Sequence, residues 1–286
     1  MRKVKIITDS TADLSKELIK ELDIEVLPLG VNFGDDFYKD GVDIDTKTLY
    51  ELVEKNGELP KTSAISPGAF ILEFEKWINE GYDVIYLGIG STISGTFQSA
   101  MVAKSEFSDD NVFLVDSKNL SSGIALLVLK AVKFRDEGLS AKEIKERLEK
   151  LVPLVRSQFA IKVLDYLHKG GRASGTQALV GKVLRIRPII KVNDGVLDVY
   201  KKPMGTMIKA CDLMLNDFLD LVKMGKVDLE NVMITHSFAE KQSIYMQEFL
   251  KTNNVLVENL YISEAGCVIS SHCGSGTIGI LYIVNE

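Results

Sequence analysis

The chain has 286 residues, 46% of them hydrophobic and 26% charged, and a formal net charge of −6. That length suits two domains better than one, and the composition supports a packed core. The acidic balance excludes the basic stripe of a nucleic-acid groove and disfavours anionic membrane surfaces as partners.

From the N-terminus, "KVKIIT" at 3–8 predicts a buried strand, and Asp9 stops the apolar run too early for a signal peptide. The next segment predicts a helix that starts with Ser10-x-x-Asp13 and aligns Leu14, Leu18, Ile19 and Leu22 on one face. Residues 24–33 read as a strand in which Pro28 favours an edge or a bulge. A helix at 43–57 should end at Gly57, and the next should carry Ser66 as N-cap and Pro67 at its first position. Strand 83–88, helix 95–106, strand 111–115 and helix 123–137 follow. The alternation implies a mainly parallel sheet with helices on both faces. The aliphatic block at 123–132 is too short to cross a bilayer, so no integral membrane segment is expected and the location expected is cytoplasmic.

The helix preceding Pro153 aligns Ile144, Leu148, Leu151 and Val155 and offers Glu143–Arg147 and Glu146–Lys150 as i,i+4 pairs. Beyond it the rhythm changes. A strand at 157–163, a short helix near 164–171 and a helix at 175–186 precede a hairpin turned at Asp194-Gly195. Then come a long helix at 206–223, strand 231–237, helix 241–253 and closing strands at 254–263 and 276–284. The expected class is therefore α/β, with an N-terminal domain at 1–155, a mixed α/β domain at 156–286, and a cleft between them.

Four stretches break this patterning with small and polar residues: "TDST" at 8–11, "KTSAISP" at 61–67, "GIGSTISGT" at 88–96 and "SSHCGSGTIG" at 270–279. Loops at the carboxyl ends of parallel strands gather at one edge, where α/β sheets bind ligands. "GIGSTISGT" completes neither phosphate-binding pattern, since no lysine follows Gly95 and the third glycine comes late. Backbone N–H groups at a helix start still favour an anion. Without a cation nearby, a singly charged carboxylate fits, with Ser94 and Thr62 or Ser63 as hydroxyl donors. Taken alone, Ser94 reads first as a helix cap, and His272 reads equally as a structural histidine in a glycine-rich loop. "LHKGGRAS" at 167–174 forms a compact cationic turn suited to phosphate or an acidic partner. Cys211, Cys267 and Cys273 are odd in number and lack metal-ligand spacing, so reduced thiols and no metal are expected.

These stretches, together with "VDSKNLSSG" at 115–123, resemble in order and over nearly the whole chain the DegV family of bacterial fatty-acid-binding proteins, which includes binding subunits of fatty acid kinases. The resemblance implies a two-domain DegV-like fold with a long-chain fatty acid such as palmitate in a tunnel between the domains. It implies carboxylate binding by Thr62 and Ser94, with His272 in the same network and Ser63 and Gly95 beside them. It implies no cofactor beyond the bound acid and no catalytic residue. It associates Gly170, Gly171 and Arg172 with phosphoryl transfer by a fatty acid kinase subunit. Three positions depart from the family pattern. Ala64 and Ile65 alter the "TSQPS" form and would reshape the pocket wall. Ser275 stands where proline is frequent. Met204 stands where kinase-partnered members carry arginine, which bears on the kinase more than on lipid binding. The alternative reading is a serine hydrolase with Ser94 as nucleophile, His272 as base and Asp9 as orienter, although "ISG" is not the G-x-S-x-G elbow.

Overall fold

The computed structural model describes residues 2–171 and 186–285. Among these, the strands are β1 (Lys3–Asp9), β2 (Glu25–Leu27), β3 (Gly30–Phe33), β4 (Asp36–Lys39), β5 (Lys61–Ser63), β6 (Tyr82–Gly88), β7 (Val112–Asp116), β8 (Val155–Ala160), β9 (Ile189–Asn193), β10 (Val196–Lys201), β11 (Val227–Ser237), β12 (Asn259–Glu264) and β13 (Thr277–Val284). The α-helices are α1 (Lys16–Glu21), α2 (Thr46–Asn56), α3 (Pro67–Asn79), α4 (Thr96–Lys104), α5 (Ser122–Asp136), α6 (Ala141–Leu151), α7 (Leu164–Gly170), α8 (Met207–Lys223), α9 (Glu240–Thr252) and α10 (Cys267–Cys273). The expected helix at 175–186 lies almost wholly outside the described residues.

The N-terminal domain holds a parallel sheet of order β2-β1-β6-β7 and an antiparallel sheet of order β4-β3-β5. β1 lies between β2 and β6, so the chain leaves it toward opposite sides of the sheet. The loops after Asp9 and Gly88 therefore meet at the switch point, where a crevice opens beyond the strand ends. The C-terminal domain holds a mixed sheet of order β10-β9-β8-β13-β11-β12. This is the two-domain α/β arrangement expected.

Helix α5 joins the two domains. From Ser122 to Val132 every residue is buried. An all-round apolar helix must be covered on every side, and here sheets of both domains cover it. Ile124, Leu127 and Val128 share one core with Val4, Ile6 and Leu87 of the parallel sheet and with Met233, Leu281 and Ile283 of the mixed sheet. Ser122 and Thr235 join their hydroxyls across the same boundary at 2.5 Å.

Several local expectations change. The first helix starts at Lys16 with Ser15 as its cap. Ser10 instead accepts the Leu29 N–H at 3.1 Å, and Asp13 takes a left-handed φ of 54°. The strand expected at 24–33 breaks around Pro28 into β2 and β3, which join different sheets. "KTS" is no loop but β5, with Thr62 opposite Val31. Glu143 closes a capping box with Ser140 and does not pair with Arg147, which reaches Glu137 at 3.8 Å. The segment around His272 is helix α10. Three residues are too few to show strand alternation, and a seven-residue helix is too short to show a helical period. The Asp194-Gly195 hairpin turn is as expected, with φ of 46° and 81° at its centre. It is fastened to the N-terminal domain by the Thr92 hydroxyl, which donates to the Gly195 carbonyl at 2.6 Å, and by the Lys118–Asp194 ion pair at 2.6 Å.

Candidate functional site

A cavity of about 1020 Å³, its open mouth included, lies between the mixed sheet and the loops of the N-terminal domain. Its walls are mainly apolar. Leu29, Ile89, Ile93 and Leu120 come from the N-terminal domain, and Phe159, Leu167, Leu197, Val268, Ile269 and Leu281 from the C-terminal domain. Phe159, Leu167 and Leu197 belong to a small apolar cluster with Ile161, Ile190 and Val192. None of the described residues lining the cavity is Lys, Arg, Asp or Glu. A charged group in such a wall would face a large desolvation cost, so an uncharged lining suits an apolar guest.

The polar wall residues include Thr62, Ser63, Ser94 and His272, and Gly95 borders the same space. Each is placed by a short element. β5 presents Thr62, whose Oγ1 lies 2.9 Å from His272 Nε2. Ser63 Oγ accepts from Asn32 Nδ2 at 3.2 Å, and its approach to β3 requires Gly30, where a Cβ would lie 2.1 Å from that oxygen. Ser94 Oγ lies 3.0 Å from Thr96 Oγ1 and accepts the Thr96 N–H at 3.3 Å, at the start of α4. The N-cap of α4 is Gly95, so Ser94 stands one residue before it and is not the cap that the sequence allowed, while its side chain borders the cavity.

Helix α10 presents His272, with Val268, Ile269 and Cys273, to the cavity. Gly170, at the end of α7, lies against the imidazole, and a Cβ there would fall 2.4 Å from Nδ1. The first glycine of the "GGR" turn is therefore a packing requirement of His272. Gly171 closes α7 with a φ of 67°. Arg172 lies outside the described residues. Ala64 borders the cavity, whereas Ile65 is buried in the N-terminal core, so only the first of these two departures touches the wall.

Burial pushes the Cys273 thiol up to about 12, so it is a neutral part of the wall. The three residues of the hydrolase reading are not linked. Asp9 is fully buried and accepts from Tyr86 OH at 2.7 Å, Ile89 N–H at 2.9 Å, and the Thr11 N–H and hydroxyl. Among the described residues, the hydrogen bonds of Ser94 run to Thr96 and one of His272 runs to Thr62, with none of these reaching Asp9.

Two residues that matter to this geometry carried no functional signal in the sequence. Asp13 and Asp40 both bind the N-terminal end of α10, from positions more than two hundred residues away in the chain. No local motif announces so distant a partner.

The sequence model of the DegV family, described as uncharacterised proteins, matches residues 3–285. A DegV domain-containing protein of Clostridium acetobutylicum is 38% identical over 284 residues, 99% of each chain. A DegV family protein of Thermus thermophilus, whose structure is described as showing fatty acid binding, superposes with a TM-score of 0.92 at 30% identity over 100% of both chains. DegV of Bacillus subtilis, described as a fatty acid binding protein, gives 0.87 at 29% identity, again over 100% of both.

Proposed function

This chain belongs to the DegV family, and on that premise we propose that it binds a long-chain fatty acid such as palmitate in the cavity between its domains. The observation that carries the proposal is the union of an apolar wall with a polar collar of Thr62, Ser63, Ser94 and His272, Gly95 beside them, and no charged side chain among the described lining residues. The two similar solved proteins described as fatty-acid-binding support it. A carboxylate in this collar takes its hydrogen bonds from hydroxyls, the imidazole and backbone N–H groups. The tail supplies the drive: about 15 methylenes at ~0.8 kcal/mol each release on the order of 12 kcal/mol before association costs. The protein's part is to hold and present the acid, with no chemistry of its own, in the cytoplasm.

Solvent extraction of the purified protein followed by mass spectrometry tests this. The native chain should yield a long-chain fatty acid or take up added palmitate. The Thr62→Ala/Ser94→Ala variant should bind palmitate about tenfold to a hundredfold more weakly, as expected for two lost hydrogen bonds of about 1 kcal/mol each. An empty extract with no palmitate uptake overturns the proposal.

The same reading extends to presentation of the carboxyl group to a separate fatty acid kinase. What favours it is the contact of Gly170 with His272, which puts the Gly170-Gly171 end of α7 beside the collar. In this reading Arg172 assists the transfer, and Gly170 and Gly171 shape the turn. With a cognate kinase and ATP, the loaded protein should yield acyl phosphate, and Arg172→Ala should reduce it. Normal turnover in that variant removes Arg172 from the transfer.

A further inference from the structure

Helix α10 is seven residues long, and its N-cap, Gly266, has no side chain. A helix leaves its first N–H groups without intrahelical partners, and this one has no local residue to satisfy them. The N-terminal domain supplies the acceptors. Asp13 Oδ1 accepts the Gly266 N–H at 2.8 Å. The two oxygens of Asp40 accept from Cys267 N–H at 2.8 Å and Val268 N–H at 3.3 Å. The Thr46 hydroxyl donates to the preceding Ala265 carbonyl at 2.8 Å. All three side chains are buried. They come from three separate segments of the N-terminal domain and converge on one turn of the C-terminal domain.

Both aspartates are themselves held, Asp13 through its side chain and carbonyl and Asp40 through its backbone. The Ser121 hydroxyl donates to the second oxygen of Asp13, and the Ser263 hydroxyl donates to its carbonyl. The Asp40 N–H donates to the Leu29 carbonyl at 2.9 Å, beside Pro28 where the chain changes sheets. At the far end of the helix, His272 Nε2 lies 2.9 Å from Thr62 Oγ1. Hydrogen bonds from backbone N–H groups to buried carboxyl oxygens are directional, so they set the position of a helix as well as its stability. One turn lies between the clamped N–H groups and His272, which leaves little slack to absorb a displacement.

We propose that Asp13 and Asp40 are positioning residues of the ligand site: they clamp the start of α10 and thereby set the His272 imidazole against Thr62 in the collar that receives a carboxylate. The proposal rests on the fatty-acid reading. The clamp acts mainly on the head of the ligand: α10 also brings Val268 and Ile269 to the cavity, but most of the apolar wall comes from other elements, including Phe159, Leu197 and Ile93.

The test compares palmitate with 1-hexadecanol, which shares the tail and lacks the carboxylate, each presented on cyclodextrin to the full chain. Binding is measured for the native protein and for Asp40→Ala, Asp40→Asn and His272→Ala, and for Asp40→Ala combined with His272→Ala. Asp40→Ala should weaken palmitate about tenfold and hexadecanol less than about twofold. Asp40→Asn, which keeps one acceptor oxygen, should recover part of the palmitate affinity and remains informative if the alanine variant does not fold. In the His272→Ala background the Asp40 substitution should lose its effect on palmitate, since residues acting through one another are not additive. Equal losses for both ligands, or additive losses with His272→Ala, overturn the positioning role while leaving the fatty-acid reading in place. A native protein that binds neither ligand overturns the fatty-acid reading, and this proposal falls with it.

Discussion

Asp9, Asp13 and Asp40 are buried carboxyl groups, and burial raises Asp13 well above the ordinary value of 3.8 and Asp9 and Asp40 above it. Asp13 and Asp40 also repel each other, which adds to the rise at Asp13. A carboxyl with a higher pKa in the folded state holds its proton more tightly there than in the unfolded chain. Its stabilising contribution is fully present below the unfolded value and is lost as pH rises through the folded one. These three groups therefore favour the folded state increasingly as pH falls toward 3.8. Calorimetry from pH 3.8 upward should show that Asp13→Asn reduces this part of the Tm slope, because the amide no longer titrates. An unchanged slope would mean that Asp13 carries the same charge in both states. In contrast with these aspartates, Thr62 and Ser94 were legible as candidate binders, because hydroxyls beside glycines stand out against apolar patterning. Asp13 and Asp40 were not, because their partners are far away in the sequence.

Short elements build much of the candidate site. β5 presents Thr62, α10 presents His272, and the β9–β10 hairpin brings Leu197 to the cavity. The hairpin turn was readable because Asp-Gly specifies positive φ at both central positions. β5 and α10 were not, since each is stabilised by what it packs against. Gly195 combines a φ of 81° with a close contact, for a Cβ there would lie 2.5 Å from Thr92 Oγ1. Gly195→Ala should therefore cost about 1–2 kcal/mol from the left-handed backbone, with more from displacing Thr92. A urea titration reads the loss as a lower midpoint with the same slope. A midpoint equal to that of the native chain would show that the turn relaxes without strain.

The two domains share a core through α5, and an ionic contact follows the same seam. Lys130 on α5 lies 2.6 Å from Asp228 and 2.5 Å from Glu230 of β11. Burial works against its charge, yet these two carboxylates hold its pKa above the ordinary value. We propose a domain boundary at 155/156, just after the last N-terminal helix ends at Leu151 and where β8 of the mixed sheet begins at Val155. With the boundary there, neither domain can expose its share of the α5 surface without a large apolar cost, so the chain should unfold in one transition. Trp77, the single tryptophan, reports from the N-terminal domain. Its fluorescence and the far-UV circular dichroism should follow one urea curve. Two separated transitions would show that the domains melt independently and that α5 belongs energetically to only one of them.

Local patterning was sufficient for most of the long helices, the strands β1, β6 and β7 and the Asp194-Gly195 turn, because periodicity, caps and turn residues act over a few positions. It could not assign β5 and α10, the break around Pro28 or the clamp from Asp13 and Asp40 to the helix of His272. Those features arise when segments remote in sequence bury each other's polar groups, and the free energy that selects them is absent until the domains have met.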